Sequence, residues 1–184
     1  KEYPATEKNP LKSKKGLYKL QDQFFKFWFR YVLPNRSRIE EGKIGFVLES
    51  INSDLTSLVA ENYELVAREI LRINEDKIFS FDTIGRWWDR NEEVDIVALN
   101  EEEGKILFGE VKWSIKPVGI DIMKNLERKA RLIDWKQGER QEYYCLFSRS
   151  GFTEALMARA REAKGGGERV FLFKKDRLIK IRYS

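Results

Sequence analysis

The chain has 184 residues, with 35 Lys and Arg against 30 Asp and Glu, no histidine, 42% hydrophobic and 13% aromatic residues. Such a composition excludes a disordered tail and suits one domain, or one domain with a small appendage, and no apolar run approaches the ~20 residues of a membrane span. With no histidine and a single cysteine, Cys145, imidazole and thiolate metal sites and every histidine-based triad are excluded, so any metal must be bound by oxygen, as Mg²⁺, Mn²⁺ or Ca²⁺ are.

The charge is uneven: residues 1–38 hold ten basic residues against three acids, +7, and the remainder holds 25 against 27, −2. The single cysteine suits a reducing, cytoplasmic compartment, and a start at Lys1 with no methionine suggests a piece of a longer polypeptide. Residues 1–16, with Pro4, Pro10, Gly16 and scattered lysines, read as a basic arm or the end of a truncated winged-helix segment. Residues 17–53 read as a helical segment. Phe24, Phe25, Phe27, Trp28, Tyr31 and Val32 recur at helical spacing up to Pro34, as core or as an interface with missing domains, and a second helix follows a cap at Asn35 or Ser37.

From residue 54 to 184 the pattern is that of one α/β domain. A helix over 54–72 starts from a cap at Asp54 or Thr56. The period then drops to two: strands at 78–84, 94–99 and 106–113, joined by turns at 89–92 and 100–104, form an antiparallel meander. A helix over 118–134 crosses to the near-continuous apolar strand 142–147, which is expected to be central and parallel to a neighbour. A helix at 153–164 and a hairpin of 169–174 with 177–182 complete the order.

The chemistry gathers in the meander. Glu110 and Lys112, two apart in a strand, share one side, and Asp95 sits on the adjacent strand. Charges embedded among Val94, Ile96, Val97, Leu107, Phe108 and Val111 are costly unless paired or metal-bound. Taken alone, Glu110-x-Lys112 reads as a cross-strand ion pair on a solvated face, and it is the further Asp95, the preceding helix and the following crossover that point to a site. Trp87, Trp88 and Trp113 read as core rather than as base-stacking platforms, and Lys124, Arg128 and Lys129 as phosphate contacts or a solvated helix face.

The segments Val94-Asp95-Ile96-Val97 and Phe108-Gly109-Glu110-Val111-Lys112 resemble the Asp…Glu-x-Lys half of PD-(D/E)XK nucleases, and Glu64 matches the glutamate that many members carry on the preceding helix. Asp22 to Tyr31, Asn62-Tyr63-Glu64, Gly85-Arg86-Trp87-Trp88 and Gly109 to Trp113 resemble the DUF234 region, the C-terminal part of archaeal AAA-type ATPases. The resemblance implies a PD-(D/E)XK (restriction-endonuclease-like) mixed sheet flanked by helices. It also implies a Mg²⁺ or Mn²⁺ site made by Asp95, Glu110, the Val111 carbonyl and Glu64, catalysis by Glu64, Asp95, Glu110 and Lys112, and DNA as substrate. Its partner would be an AAA-type ATPase domain of the same polypeptide, where ATP would bind, because Gly165-Gly166-Gly167-Glu168-Arg169 lacks the Gly-Lys-Ser/Thr ending of a phosphate loop. The alternative is a catalytically inactive DNA-binding or ATPase-coupling module on the same fold.

Overall fold

Strands with near-continuous apolar runs bury both faces, and here β3 (Lys105–Lys112) and β4 (Gln141–Ser148) do so at the middle of a six-stranded sheet of order β1-β2-β3-β4-β5-β6. The computed structural model describes residues 1–165 and 169–179. β1 (Thr83–Asp89), β2 (Glu92–Asn100) and β3 form the expected antiparallel meander; β4 is parallel to β3, and β5 (Arg169–Lys174) is parallel to β4. The short β6 (Arg177–Leu178) pairs antiparallel with β5; residues 180–182 of the expected hairpin lie outside the described residues.

The two parallel connections run through α4 (Ile120–Ala130) and α5 (Glu154–Gly165). Successive crossovers of one hand place both helices on one face of the sheet. There Met123, Leu126 and Ala130 of α4 and Leu156 and Ala160 of α5 pack on Val97, Phe108, Tyr144 and Leu146. The other face is covered by α3 (Ile44–Ile73), whose Tyr63, Ala67, Ile70 and Leu71 meet Ile96, Leu107, Val111, Cys145 and Phe147.

Three local expectations change. The helix expected to begin at a cap on Asp54 or Thr56 instead runs unbroken for 30 residues from Ile44. Asp54 caps nothing: its carboxylate is engaged by Arg30 Nε at 2.5 Å, by Arg30 Nη2 at 2.9 Å and by the Tyr31 hydroxyl at 2.9 Å. The break falls earlier, at Gly42, whose φ of +75° only glycine adopts without strain. The first strand starts at Thr83 rather than 78, because Ser80 and Phe81 bond to side chains of Asn100 and Glu75 instead of to a ladder.

The aromatic segment is not one α-helix. α1 (Gln23–Phe27) passes into a π turn over Trp28–Val32 and a 3₁₀ turn over Leu33–Asn35 before α2 (Arg36–Glu40). Only Tyr31 of its aromatic residues is buried, and Phe24, Phe25 and Phe29 stand exposed at 65%, 47% and 54%. Residues 1–16 lie against the β1 edge: the Ala5 N–H donates to the Arg86 carbonyl at 2.7 Å, and Trp88 Nε1 donates to the Lys15 carbonyl at 3.2 Å. Capping an edge strand in this way hides its unpaired backbone groups.

Candidate active site

Between Gly85 and Trp87 the β1–β2 register shifts: one residue of β1, Arg86, faces two of β2, Asp95 and Ile96. The resulting bulge re-aims the Asp95 side chain, as bulges beside functional sites commonly do. The β2–β3 ladder stops at Ile96 and Gly109, and beyond it the Asp95 Oδ2 accepts the Val111 N–H at 2.8 Å. A carboxylate thus replaces the missing backbone partner, and the Val111 carbonyl, which points the same way as its N–H, faces the same edge.

Gly109 permits this approach. A Cβ there would stand 2.6 Å from Cys145 Sγ and 2.9 Å from Ile96 Cβ, so β2, β3 and β4 can close up only around a residue with no side chain.

Glu110 is 6% exposed and carries an ammonium on each oxygen: Lys112 Nζ at 2.7 Å from Oε1 and Lys129 Nζ at 3.3 Å from Oε2. Lys129 comes from α4 and is itself 8% exposed. Burial, and next the neighbouring Glu110, push the Asp95 carboxyl up to about 7, against the pull of the Val111 N–H and Lys112. Burial opposes the Lys112 ammonium, but Glu110, Asp95 and Glu64 together raise it above the ordinary lysine value. Burial also raises Glu64, which Arg86, Arg68 and Lys19 counteract.

The four expected residues therefore lie within one electrostatic neighbourhood, with Asp95, Glu110 and Lys112 its tight part. Glu64 stands apart, 3.7 Å from Arg86 Nε. Among the described residues no group of three acids is close enough to hold an ion. The donors whose chemistry suits a hard divalent cation are the Asp95 and Glu110 carboxylates and the Val111 carbonyl; Mg²⁺ commonly takes only one or two carboxylates and fills the rest of its shell with water.

Lys129 was read only as a phosphate contact or a solvated lysine, and the signal for its burial was its position one helical turn after Leu126 and beside Ala130 on the apolar face. Arg128 is tied to Glu92 by two bonds, at 2.7 and 3.0 Å. Trp87 is core; Trp113 packs on Tyr63 with ring centroids 4.8 Å apart and takes Arg149 over its face. Ser148 serves structure, accepting the Gly151 N–H at 3.0 Å and donating to the Gly151 carbonyl at 2.7 Å.

Fold and site together define a mixed α/β domain with a buried carboxylate pair flanked by lysines at the end of its central strands. The chain belongs to the DUF234 family, "Archaea bacterial proteins of unknown function", whose family model matches residues 28–131. It is 43% identical over 148 residues to the uncharacterized protein MJECL04 of Methanocaldococcus jannaschii, an alignment covering 78% of this chain and 32% of that protein. The chain thus spans about a third of the length of that relative. A solved structure, that of the protein of unknown function AF1548, is similar at 23% identity and a TM-score of 0.34, covering 59% of this chain and 55% of that one. No helix among the described residues is long and apolar enough to cross a membrane.

Proposed function

We propose that this chain is a PD-(D/E)XK-type, divalent-metal-dependent nuclease domain of an archaeal ATPase, cleaving phosphodiester bonds in DNA. The observation that carries the reading is the buried placement of Asp95 beside Glu110, with its Oδ2 on the Val111 N–H: burial first and Glu110 next push the Asp95 carboxyl up to about 7, while Lys112 holds Glu110. Two buried carboxylates that repel each other beside a backbone carbonyl are a poor structural choice and a good cation trap.

Asp95, Glu110 and the Val111 carbonyl would hold Mg²⁺ or Mn²⁺, which when bound polarises a phosphate and makes a coordinated water a better nucleophile. The chain's own residues supply the rest. The Val111 N–H fixes the Asp95 rotamer, and the bulge keeps that carboxylate at the sheet edge. Lys112, whose side chain is 38% exposed where that of Glu110 is 8%, is the cation that reaches solvent, and so it would orient the water or meet the charge that develops on the phosphate. Glu64 lies near enough to act on Asp95 and Lys112 and would order water around a bound ion.

A second reading is favoured by one observation: both Glu110 oxygens are occupied by lysines, an arrangement that also suits a DNA-binding or ATPase-coupling module with no turnover. The experiment that separates the two is incubation of the chain with labelled single-stranded, duplex and branched DNA, in Mg²⁺, Mn²⁺ or chelator. Metal-dependent cleavage that disappears in Asp95→Asn supports the nuclease. Binding with no product in any metal, with the ATPase portion supplied, supports the module.

A further inference from the structure

α3 is longer than the sheet it covers. Its C-terminal half carries the residues that pack on the sheet, Tyr63, Ala67, Ile70 and Leu71, whereas from Ile44 to Asn62 only Val47 and Leu58 are buried. Along this N-terminal half Ile44, Leu48, Ile51 and Leu55 follow one another at spacings of four, three and four, which puts all four on one side of the helix. Beside them lie two rings of the aromatic segment, which Arg30 and the Tyr31 hydroxyl fasten to Asp54. Lys26 turns to one flank, into the cleft that Glu61, Glu64 and Arg68 of α3 also line. Phe24 and Trp28, two residues to either side of Lys26, therefore turn to the other flank, where the four aliphatic residues stand. Their rings stack with centroids 6.0 Å apart.

This face is apolar and uncovered. Apart from Ile51, which is half-buried, each of the six side chains is between 38% and 65% exposed. Together they present roughly 500 Å² of apolar surface, at the upper end of the largest patch that a monomer ordinarily shows. At the ~65% apolar share of homodimer interfaces, such a patch accompanies about 800 Å² per copy, the area of a standard stable interface. The charges that border it are used within the chain: Arg36 pairs with Glu40, Lys43 with Glu41, and Arg30 with Asp54 and Glu61. Between residues 44 and 60 the charged residues are Glu49 and Asp54, so the helix lacks the lysines and arginines that an anionic lipid surface or a nucleic acid would require.

We propose that the occupant of this face is a second copy of the chain. Its α3 crosses the first antiparallel, about a twofold axis between Leu48 and Ile51, and Phe24 and Trp28 meet the N-terminal end of the other copy's helix. Rows spaced by four and three form ridges that fit the grooves of an identical helix. A twofold contact also sets the patch against itself, so that its area and its lack of free charge are matched on both sides. Because the sheet sits on the C-terminal half of α3, an antiparallel crossing carries the two sheet domains to opposite ends of the helix pair, where they do not collide. The proposal stands independently of the nuclease reading.

The test is sedimentation equilibrium of the chain from about 1 to 200 µM, a range that spans the affinities such an area supports. The wild type should reach twice the monomer mass. Leu48→Glu, which the twofold axis places in the seam twice, should raise the dissociation constant about a hundredfold or more. Leu48 is exposed within one copy, so the circular dichroism spectrum of the variant at the lowest concentration should match that of the wild type. Ile115→Glu, at an exposed apolar residue outside the face, should leave the dimer intact. Orientation is read by cysteine pairing, since the native Cys145 is buried. An oxidised mixture of Ile44→Cys and Leu55→Cys chains should cross-link, and neither variant should do so alone. A wild type that stays monomeric at the highest concentration overturns the proposal and gives the face to another protein or to a further part of a longer polypeptide. A dimer that survives Leu48→Glu overturns it as well, and cross-linking of Ile44→Cys alone overturns the antiparallel arrangement.

Discussion

Replacing Asp95 with asparagine should stabilise the protein, and increasingly so as the pH rises. The folded state carries the Asp95 carboxyl from 3.8 to about 7, so it favours the protonated form. A raised pKa contributes stability that is fully present below about 4 and is lost as pH climbs through 7; above that the fold holds an ionised carboxylate in a place that rejects it. At 1.36 kcal/mol per pH unit the cost at pH 8 is roughly 4 kcal/mol at most. Movement of Lys112 and admission of water return part of this, leaving about 2 kcal/mol, or roughly 4 to 8 °C in melting temperature for a chain of this size. Asparagine keeps an oxygen for the Val111 N–H and carries no charge. Urea and thermal unfolding of Asp95→Asn and wild type at pH 4.5 and pH 8 measure the difference: small at the lower pH, several degrees in favour of the variant at the higher. An Asp95→Asn chain that melts below the wild type at pH 8 refutes the reasoning, because the carboxylate would then be a net stabilising partner of its lysines.

A divalent ion should remove the same cost in another way: Mn²⁺ at about 100 times its dissociation constant should add about 2.7 kcal/mol to the wild type at pH 8 and little to Glu110→Ala, as read by thermal shift. Gly109→Ala should cost about 1 to 3 kcal/mol in urea unfolding, since its Cβ would meet Cys145 Sγ at 2.6 Å in the closed centre of the sheet. Lys129→Met should destabilise the metal-free protein by a few kcal/mol, because it leaves Glu110 buried with Lys112 alone, and Mn²⁺ should restore most of the loss in a melting experiment. Asp54→Ala should lower the urea midpoint, because it strips Arg30 and the Tyr31 hydroxyl of their shared acceptor on α3.

Alternation and turn chemistry made the meander legible from sequence. Asp89-Arg90-Asn91-Glu92 closes β1 onto β2 with Arg90 at φ 49°, and Gly104 at φ 63° closes β2 onto β3. The parallel pairing of β4 was readable because Tyr143 to Phe147 offers no polar face to water. The long α3 was not, because Ser53, Asp54 and Thr56 look like a helix start unless it is known that Arg30 waits across the gap for the carboxylate. The capping signal at Asp54 and Thr56 was overridden by a tertiary contact of Asp54 with a segment 24 residues earlier.

The same limit governs the site. Glu110 and Lys112 declare their common side by spacing alone, but the bulge that turns Asp95 toward Val111 depends on Arg86 facing two residues at once, which no local pattern in β2 announces. Lys129 and Arg68 look like ordinary solvated cations on amphipathic helices. Their meaning comes from what the fold places opposite them: for Lys129 a buried carboxylate, for Arg68 the Asp95 carbonyl and the acids Glu2 and Glu64. In the proposed nuclease, with Asp95 and Glu110 ionised, the two lysines would leave the inner site without net charge, so a bound divalent ion would give it a charge of about +2, matched to the second negative charge that a phosphodiester gains as it is attacked. Lys129 would then be half of the protein's share of that balance. A site with Lys112 alone would begin with a surplus negative charge, hold a cation more tightly and oppose the developing phosphate charge less; on the proposed reading, burying a second lysine against Glu110 would trade cation affinity for complementarity to the reacting group.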